Sequence, residues 1–242
     1  DTDRGDLWDS GQVRSAESLG LAYGGPALRS GQRCFWKVRV WDGQGRSSAW
    51  SPTASWEMAL LGDRPWQGRW IGDGKPVPEA DEDFYRDDPA PLVRKEFVAP
   101  ERIVRARLYI SGLGYYEASI NGQRVGDQVL DPGWTNFDKR VLYSVYDVTG
   151  LVRAGLNCVG VMLGNGWWNP LHLRMWGRRN LREDLPVGRP CLIAQLEIEG
   201  EDGSVMTVAT GPDWKVRGGP VLRNNVYLGE VYDARREVPG WD

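Results

Sequence analysis

The chain has 242 residues, with 33 acidic and 30 basic side chains, for a formal net charge of −3. Neither sign forms a long run, which excludes the charge signature of a nucleic-acid or membrane-surface partner. No apolar run approaches the ~20 residues that span a bilayer, and the opening six residues lack the basic and apolar regions of a secretory leader, so the sequence reads as soluble. Thirteen tryptophans against four phenylalanines are the compositional oddity. Large flat rings suit a β-sandwich core and equally the apolar face of a sugar. Cys34, Cys158 and Cys191 lie far apart in apolar, strand-like contexts, which predicts inert core thiols instead of disulfides or a metal site and leans towards a reducing cytoplasm.

In chain order, Leu7-Trp-Asp-Ser-Gly11 reads as a strand end and turn. Cys34 to Trp41 then alternates strongly, with Phe35, Lys37, Arg39 and Trp41 opposite Trp36, Val38 and Val40. Asp42-Gly-Gln-Gly45 supplies a turn, and a second strand is expected over Thr53 to Leu60. This pair, joined through Ser47-Ser-Ala-Trp-Ser51, resembles the last two strands of a fibronectin type III domain. A complete domain of that kind needs about 100 residues, so residues 1–61 are expected to be an N-terminally incomplete module. Residues 62–91 hold many prolines, the acids Glu79, Asp81, Glu82 and Asp83, and no periodicity, the composition of a linker or irregular surface excursion. Trp66 and Trp70-Ile71 are expected to pin its start onto a neighbouring domain.

Over 92–242, short strands are predicted at Val93–Phe97, Val104–Ile110, Tyr115–Ile120, Val141–Tyr146, Asn157–Leu163, Leu192–Ile198 and Ser204–Ala209, a spacing that predicts an antiparallel sandwich or jelly roll. The fold class expected for the whole chain is therefore all-β. In Tyr115–Ile120, Tyr116, Ala118 and Ile120 share one face, and Asn121-Gly122 supplies the positive-φ pair of a type I′ turn. Asp147 is placed to cap a single helical turn over 147–152.

Few constellations carry chemistry. His172 is the lone histidine and no Gly-x-Ser-x-Gly elbow occurs, which argues against a nucleophilic triad. Gly112-Leu-Gly114 and Gly24-Gly25 lack the ending and setting of a phosphate loop, and His and Cys fall at no metal-binding spacing. Glu183-Asp184, beside Arg182, reads as a solvated pair and not as two glycosidase carboxylates. No catalytic residue, metal or cofactor is expected. The loop Gly164-Asn-Gly-Trp-Trp-Asn-Pro170 gathers two indoles and two amides, the chemistry that holds a sugar, unless one indole plugs the sandwich end. Trp134, after the tight Pro132-Gly133 turn, faces the same choice with the plug favoured. Candidate carbohydrate-binding residues are Asn165, Trp167, Trp168, Asn121 and Trp134. Glu230, Asp233 and Arg235 form a candidate internal salt bridge or interdomain contact.

Ser111-Gly-Leu-Gly-Tyr-Tyr-Glu117, Ile120-Asn-Gly-Gln-Arg-Val-Gly126, Val129-Leu-Asp-Pro-Gly-Trp-Thr135, Tyr146-Asp-Val-Thr149, Leu163-Gly-Asn-Gly-Trp167 and Gly229-Glu-Val-Tyr-Asp-Ala-Arg235 together resemble the N-terminal region of bacterial α-L-rhamnosidases, family 78 of the glycoside hydrolases. Leu7-Trp-Asp-Ser-Gly11 and Trp36-Lys-Val-Arg-Val-Trp-Asp42 resemble the fibronectin-like module that leads them. The resemblance implies a fibronectin-like domain and a jelly roll ahead of an (α/α)6 barrel, beginning after Trp241, that carries the acid and base. It also implies that the chain alone is inactive, that its partner is the downstream catalytic domain of the same polypeptide, and that L-rhamnose or rhamnosides are the sugars concerned. The alternative is an autonomous carbohydrate-binding module for L-rhamnose or related sugars. The related module family 67 holds rhamnose through calcium, whereas Ser111-Gly-Leu-Gly114 offers no carboxylate to a hard cation.

Overall fold

The computed structural model describes residues 5–175 and 179–242, and the chain divides into two units, Asp1–Trp66 and Gln67–Asp242. In the first, β1 (Arg33–Trp36) pairs antiparallel with β2 (Ala54–Glu57), placing Cys34 opposite Trp56. The alternation to Trp41 predicts a longer first strand, and the structure shows why its ladder stops early. Beyond Trp36 the partner is Ser47–Ser51, whose hydroxyls replace backbone groups: Val38 N–H donates to Ser51 Oγ and Val40 N–H to Ser48 Oγ, both at 3.1 Å. Asp42 closes the turn by accepting the N–H groups of Gln44 and Arg46, each at 2.9 Å. Arg39 lies over Trp41 and Trp50, 5.0 and 4.6 Å from the ring centroids, covering part of the indole surface.

In Gln67–Asp242 the strands are β3 (Ile71–Gly72), β4 (Pro91–Ala99), β5 (Ile103–Leu113), β6 (Tyr115–Ile120), β7 (Gln123–Arg124), β8 (Ser144–Asp147) and β9 (Gly155–Gly164). They continue as β10 (Arg174–Met175), β11 (Arg179–Asn180), β12 (Cys191–Gly200), β13 (Val205–Ala209), β14 (Lys215–Gly218), β15 (Val221–Asn225) and β16 (Gly229–Tyr232). One sheet runs β13-β12-β5-β8 with β3 added on β12; the other runs β14-β4-β9-β6-β7. All pairings are antiparallel, and the only α-helix among the described residues is the four-residue α1 (Leu181–Asp184). The fold is all-β, as the alternation predicts.

Period-two alternation builds the core between these sheets. Leu108 and Ile110 of β5 and Leu192, Leu196 and Ile198 of β12 meet Ile120 of β6 and Val159, Val161 and Leu163 of β9, every one almost fully buried. Each such side chain contributes about 1.5–3 kcal/mol of burial. All seven predicted strands form. The two-residue β3, β7, β10 and β11 are additional, as are β14, β15 and β16, which lack the apolar alternation that marks the predicted strands.

Residues 67–90, which the sequence reading assigns to a linker or excursion, run as irregular chain along the β12 edge. Ile71 pairs with Leu192, Gln67 N–H donates to the buried Gln195 Oε1 at 2.7 Å, and Thr210 Oγ1 donates to the Arg69 carbonyl at 2.7 Å. A 3-10 turn at Asp81–Tyr85 follows, and Ala90 N–H donates to the Val221 carbonyl at 2.8 Å. Arg189, whose side chain is 13% exposed, holds Asp73 and Asp88 together from the other side. Burial alone would raise the Asp88 carboxyl, but the bonds from Arg189 and Lys75 outweigh it and hold it below the usual carboxylate range.

Asn121 and Gly122 have φ of 54° and 76°, the type I′ geometry expected. Asp147 Oδ1 accepts the Thr149 N–H at 3.1 Å, capping a single turn as predicted. At the end of the described chain, Trp241 and Asp242 fold over the outer face of β9, where a Cβ on Gly160 would lie 2.5 Å from Asp242 Cβ and 2.9 Å from Trp241 Cζ3. Cys34, Cys158 and Cys191 are unpaired, and burial pushes the Cys191 thiol up to about 11.

Candidate carbohydrate-binding end of the sandwich

Three segments meet where β9 ends: the 164–170 loop, the loop from β7 to β8, and the β15–β16 hairpin. Their meeting depends on a tight glycine contact. Gly114 has φ of 108°, and a Cβ there would lie 2.2 Å from the Gly164 carbonyl oxygen. The chain therefore turns out of β9 directly against the β5–β6 bend, which delivers Trp167 to the surface.

Trp167 stacks on Trp134 with centroids 5.0 Å apart and planes inclined 21°, and Tyr227 of the hairpin meets its edge at 5.6 Å. The two indoles, distant in sequence, are thus one feature, and Trp134 remains 55% exposed. The Trp134 loop is tied down by Asp131, whose Oδ2 accepts from the hydroxyls of Tyr116 and Tyr146. Burial first, and then the Asp131 carboxylate, push the Tyr116 phenol far above the ordinary tyrosine range. Trp168 turns the other way: its Nε1 donates to the Arg189 carbonyl at 2.8 Å and its ring meets the edge of Phe137 at 5.8 Å.

Asn165 is spent on the fold. Its N–H donates to Asn224 Oδ1 at 2.6 Å, its Nδ2 to the Asn224 carbonyl at 3.0 Å, and its Oδ1 accepts from Asn169 Nδ2 at 2.8 Å. Asn121 lies at the far end of β6 from Tyr115, about 20 Å away at ~3.3 Å per residue. There its Nδ2 donates to the Leu151 carbonyl and to Asn157 Oδ1, and its Oδ1 accepts the Cys158 N–H. The fold thus unites Trp134 and Trp167, sends Trp168 and Asn165 into local packing, and leaves Asn121 elsewhere. Asp233 and Arg235 form an exposed two-point ion pair, at 2.8 and 2.9 Å, which holds the Asp233 carboxyl below its usual range; Glu230 is exposed on β16.

Behind the hairpin lies a cleft of about 180 Å3, bounded by residues 78–88, the 165–171 loop and the 223–231 segment. Asn224, Asn225, Arg189 and Arg223 line it. None of these stood out in the sequence, where the only local sign is Asn224-Asn225 placed shortly before Gly229.

The family described as the Alpha-L-rhamnosidase N-terminal domain matches residues 101–242, and the Rha78A-like, N-terminal immunoglobulin domain matches residues 1–62. The chain belongs to the α-L-rhamnosidase N-terminal domain family. An α-L-rhamnosidase of Formosa agariphila is 35% identical over 98% of this chain, which spans 25% of that relative. The structure of the α-L-rhamnosidase from Dictyoglumus thermophilum superposes with a TM-score of 0.82 at 39% identity, covering 99% of this chain and 26% of that one. The Streptomyces avermitilis α-L-rhamnosidase complexed with L-rhamnose gives 0.82 at 26% identity, covering 98% of this chain and 38% of that one. The chain therefore corresponds to an N-terminal region that makes up a quarter to a little over a third of these rhamnosidases. Its leading module, expected to be fibronectin-like, matches a family described as an immunoglobulin domain; both are antiparallel sandwiches.

Proposed function

We propose that this chain is the accessory β-portion of an α-L-rhamnosidase that removes terminal α-L-rhamnosyl groups, with the acid and base carried by an (α/α)6 barrel outside these 242 residues. The observation that carries this reading is coverage of 98% of the chain by a rhamnosidase of which it spans only 25%. The chain then serves as the scaffold against which the barrel packs. Its interior acids support that role, because each holds a structural partner: Asp73 and Asp88 hold Arg189, Asp131 holds two tyrosines, and Glu197 Oε1 accepts from Gln195 Nε2 at 2.9 Å. Glycoside hydrolysis needs two carboxyl groups facing each other across a cleft, about 5 to 10 Å apart. A reducing, cytoplasmic setting belongs to the same proposal, supported by three unpaired thiols.

Release of nitrophenol from p-nitrophenyl α-L-rhamnoside tests the reading. The chain alone is expected to give no turnover, and a polypeptide extending it through the remaining region of a relative is expected to be active. Turnover by the chain alone would overturn the proposal.

A further inference from the structure

The outer face of the sheet β14-β4-β9-β6-β7 is crossed by the last described residues, and the crossing has a direction. On β9 this face is made by Leu156, Cys158, Gly160, Met162 and Gly164, which alternate with the buried Asn157, Val159, Val161 and Leu163. Residues 224–242 meet that line from its Gly164 end. A Cβ on Gly164 would lie 3.5 Å from Asn224 Oδ1, and one on Gly160 would lie 2.9 Å from Trp241 Cζ3 and 2.5 Å from Asp242 Cβ. Cys158 comes next. Burial pushes its thiol up, Arg94 opposes this, and the carboxylates of Glu96 and Asp242 add to it, so Asp242 sits within electrostatic reach of Cys158.

The path stops one step short of an apolar pair at the end of the face. Leu156 lies opposite Val98 of β4 in the ladder, and the two are 63% and 66% exposed. Beside them Glu96, opposite Cys158, is paired with Arg94 at 2.5 Å, so charge borders the lane on its β4 side. Two side chains offer far less than the ~800 Å2 per partner of a stable protein–protein interface, which suits a single extended segment and not a folded partner. We infer that the segment following Asp242 continues this path and lays an apolar side chain across Leu156 and Val98, strapping the exit of the chain to the outer face of β4 and β9. That a segment follows rests on the rhamnosidase reading, in which this chain spans 25% of a longer polypeptide. Neighbouring positions on one face of a strand are about 7 Å apart and an extended residue covers ~3.3 Å, which puts that side chain at roughly the second to fourth position after Asp242. The gain is removal of apolar surface from water.

Alkylation of Leu156→Cys by iodoacetamide, followed by peptide mass, tests the strap in two polypeptides: the 242-residue chain, and the natural polypeptide ended about twelve residues after Asp242. Modification at position 156 is expected to be roughly fivefold slower or more in the longer one, because the strap covers the new thiol. Val205→Cys, on β13 of the other sheet and 43% exposed, serves as control and is expected to react equally in both. Replacing the apolar side chain of the extension by serine is expected to restore the fast rate at position 156. A rate at position 156 that the extension leaves unchanged, or slowing that survives the serine replacement, would overturn the strap. Neither polypeptide contains the catalytic region, so this result and the rhamnoside hydrolysis test fail separately.

Discussion

At Gly114 the backbone sits at φ 108° and an added Cβ would lie 2.2 Å from the Gly164 carbonyl, so conformation and space both demand glycine. Gly114→Ala is expected to destabilise the fold by about 2–3 kcal/mol, read as a lower urea midpoint. Asn157 is 1% exposed and makes four bonds, accepting from Asn121 Nδ2 and Arg153 N–H and donating to the carbonyls of Arg153 and Gly155. Three of these bonds close the local loop over 153–157, and only Asn121, 36 residues away, is brought in by the fold. Tyr116 bears on pH. Its folded phenol titrates above its unfolded value of about 10, so the unfolded chain loses the proton first. Stability is therefore expected to hold below about pH 10 and to fall above it, and Tyr116→Phe should flatten that alkaline limb in denaturation curves.

The stacked pair of Trp134 and Trp167 belongs to two elements at once, the β7–β8 loop and the turn after β9. Indoles stacked at 5.0 Å couple excitonically, so a far-ultraviolet couplet is expected in circular dichroism and should vanish in both Trp134→Phe and Trp167→Phe. The strap over 67–90 relies on Arg189. Arg189→Ala leaves Asp73, 7% exposed, and Asp88 with only the half-exposed Lys75 as their cation, and is expected to cost about 3 kcal/mol and to open residues 73–88 to limited proteolysis. Elements legible in the sequence are those whose own side chains alternate, such as β5, β9 and β12, because one buried face imprints period two. β15 and β16 carry Arg223, Asn224, Asn225 and Glu230 in place of that pattern and exist by pairing with each other, so the cleft they wall was invisible. The indoles could be listed as sugar-binding candidates one by one. That two of them form a single stack while Trp168 turns away depends on a loop crossing that no local pattern encodes.

For the molecule as a whole, the core of Gln67–Asp242 is complete within that unit, since every residue of the apolar cluster lies at Ile71 or beyond. A polypeptide of residues 67–242 is expected to give one cooperative calorimetric transition by itself; a broad, non-cooperative melt would show that the core needs residues 1–66. The seat of Trp241 on Gly160 bears on how the unit carries load. A pull applied at Asp242 meets an indole lying across the middle of a sheet, not a ladder loaded along its strands, so force lifts the last residues away one contact at a time. The tail would peel at low tension while the sandwich beneath it stayed intact, giving the chain a short extensible leash before any strand has to shear.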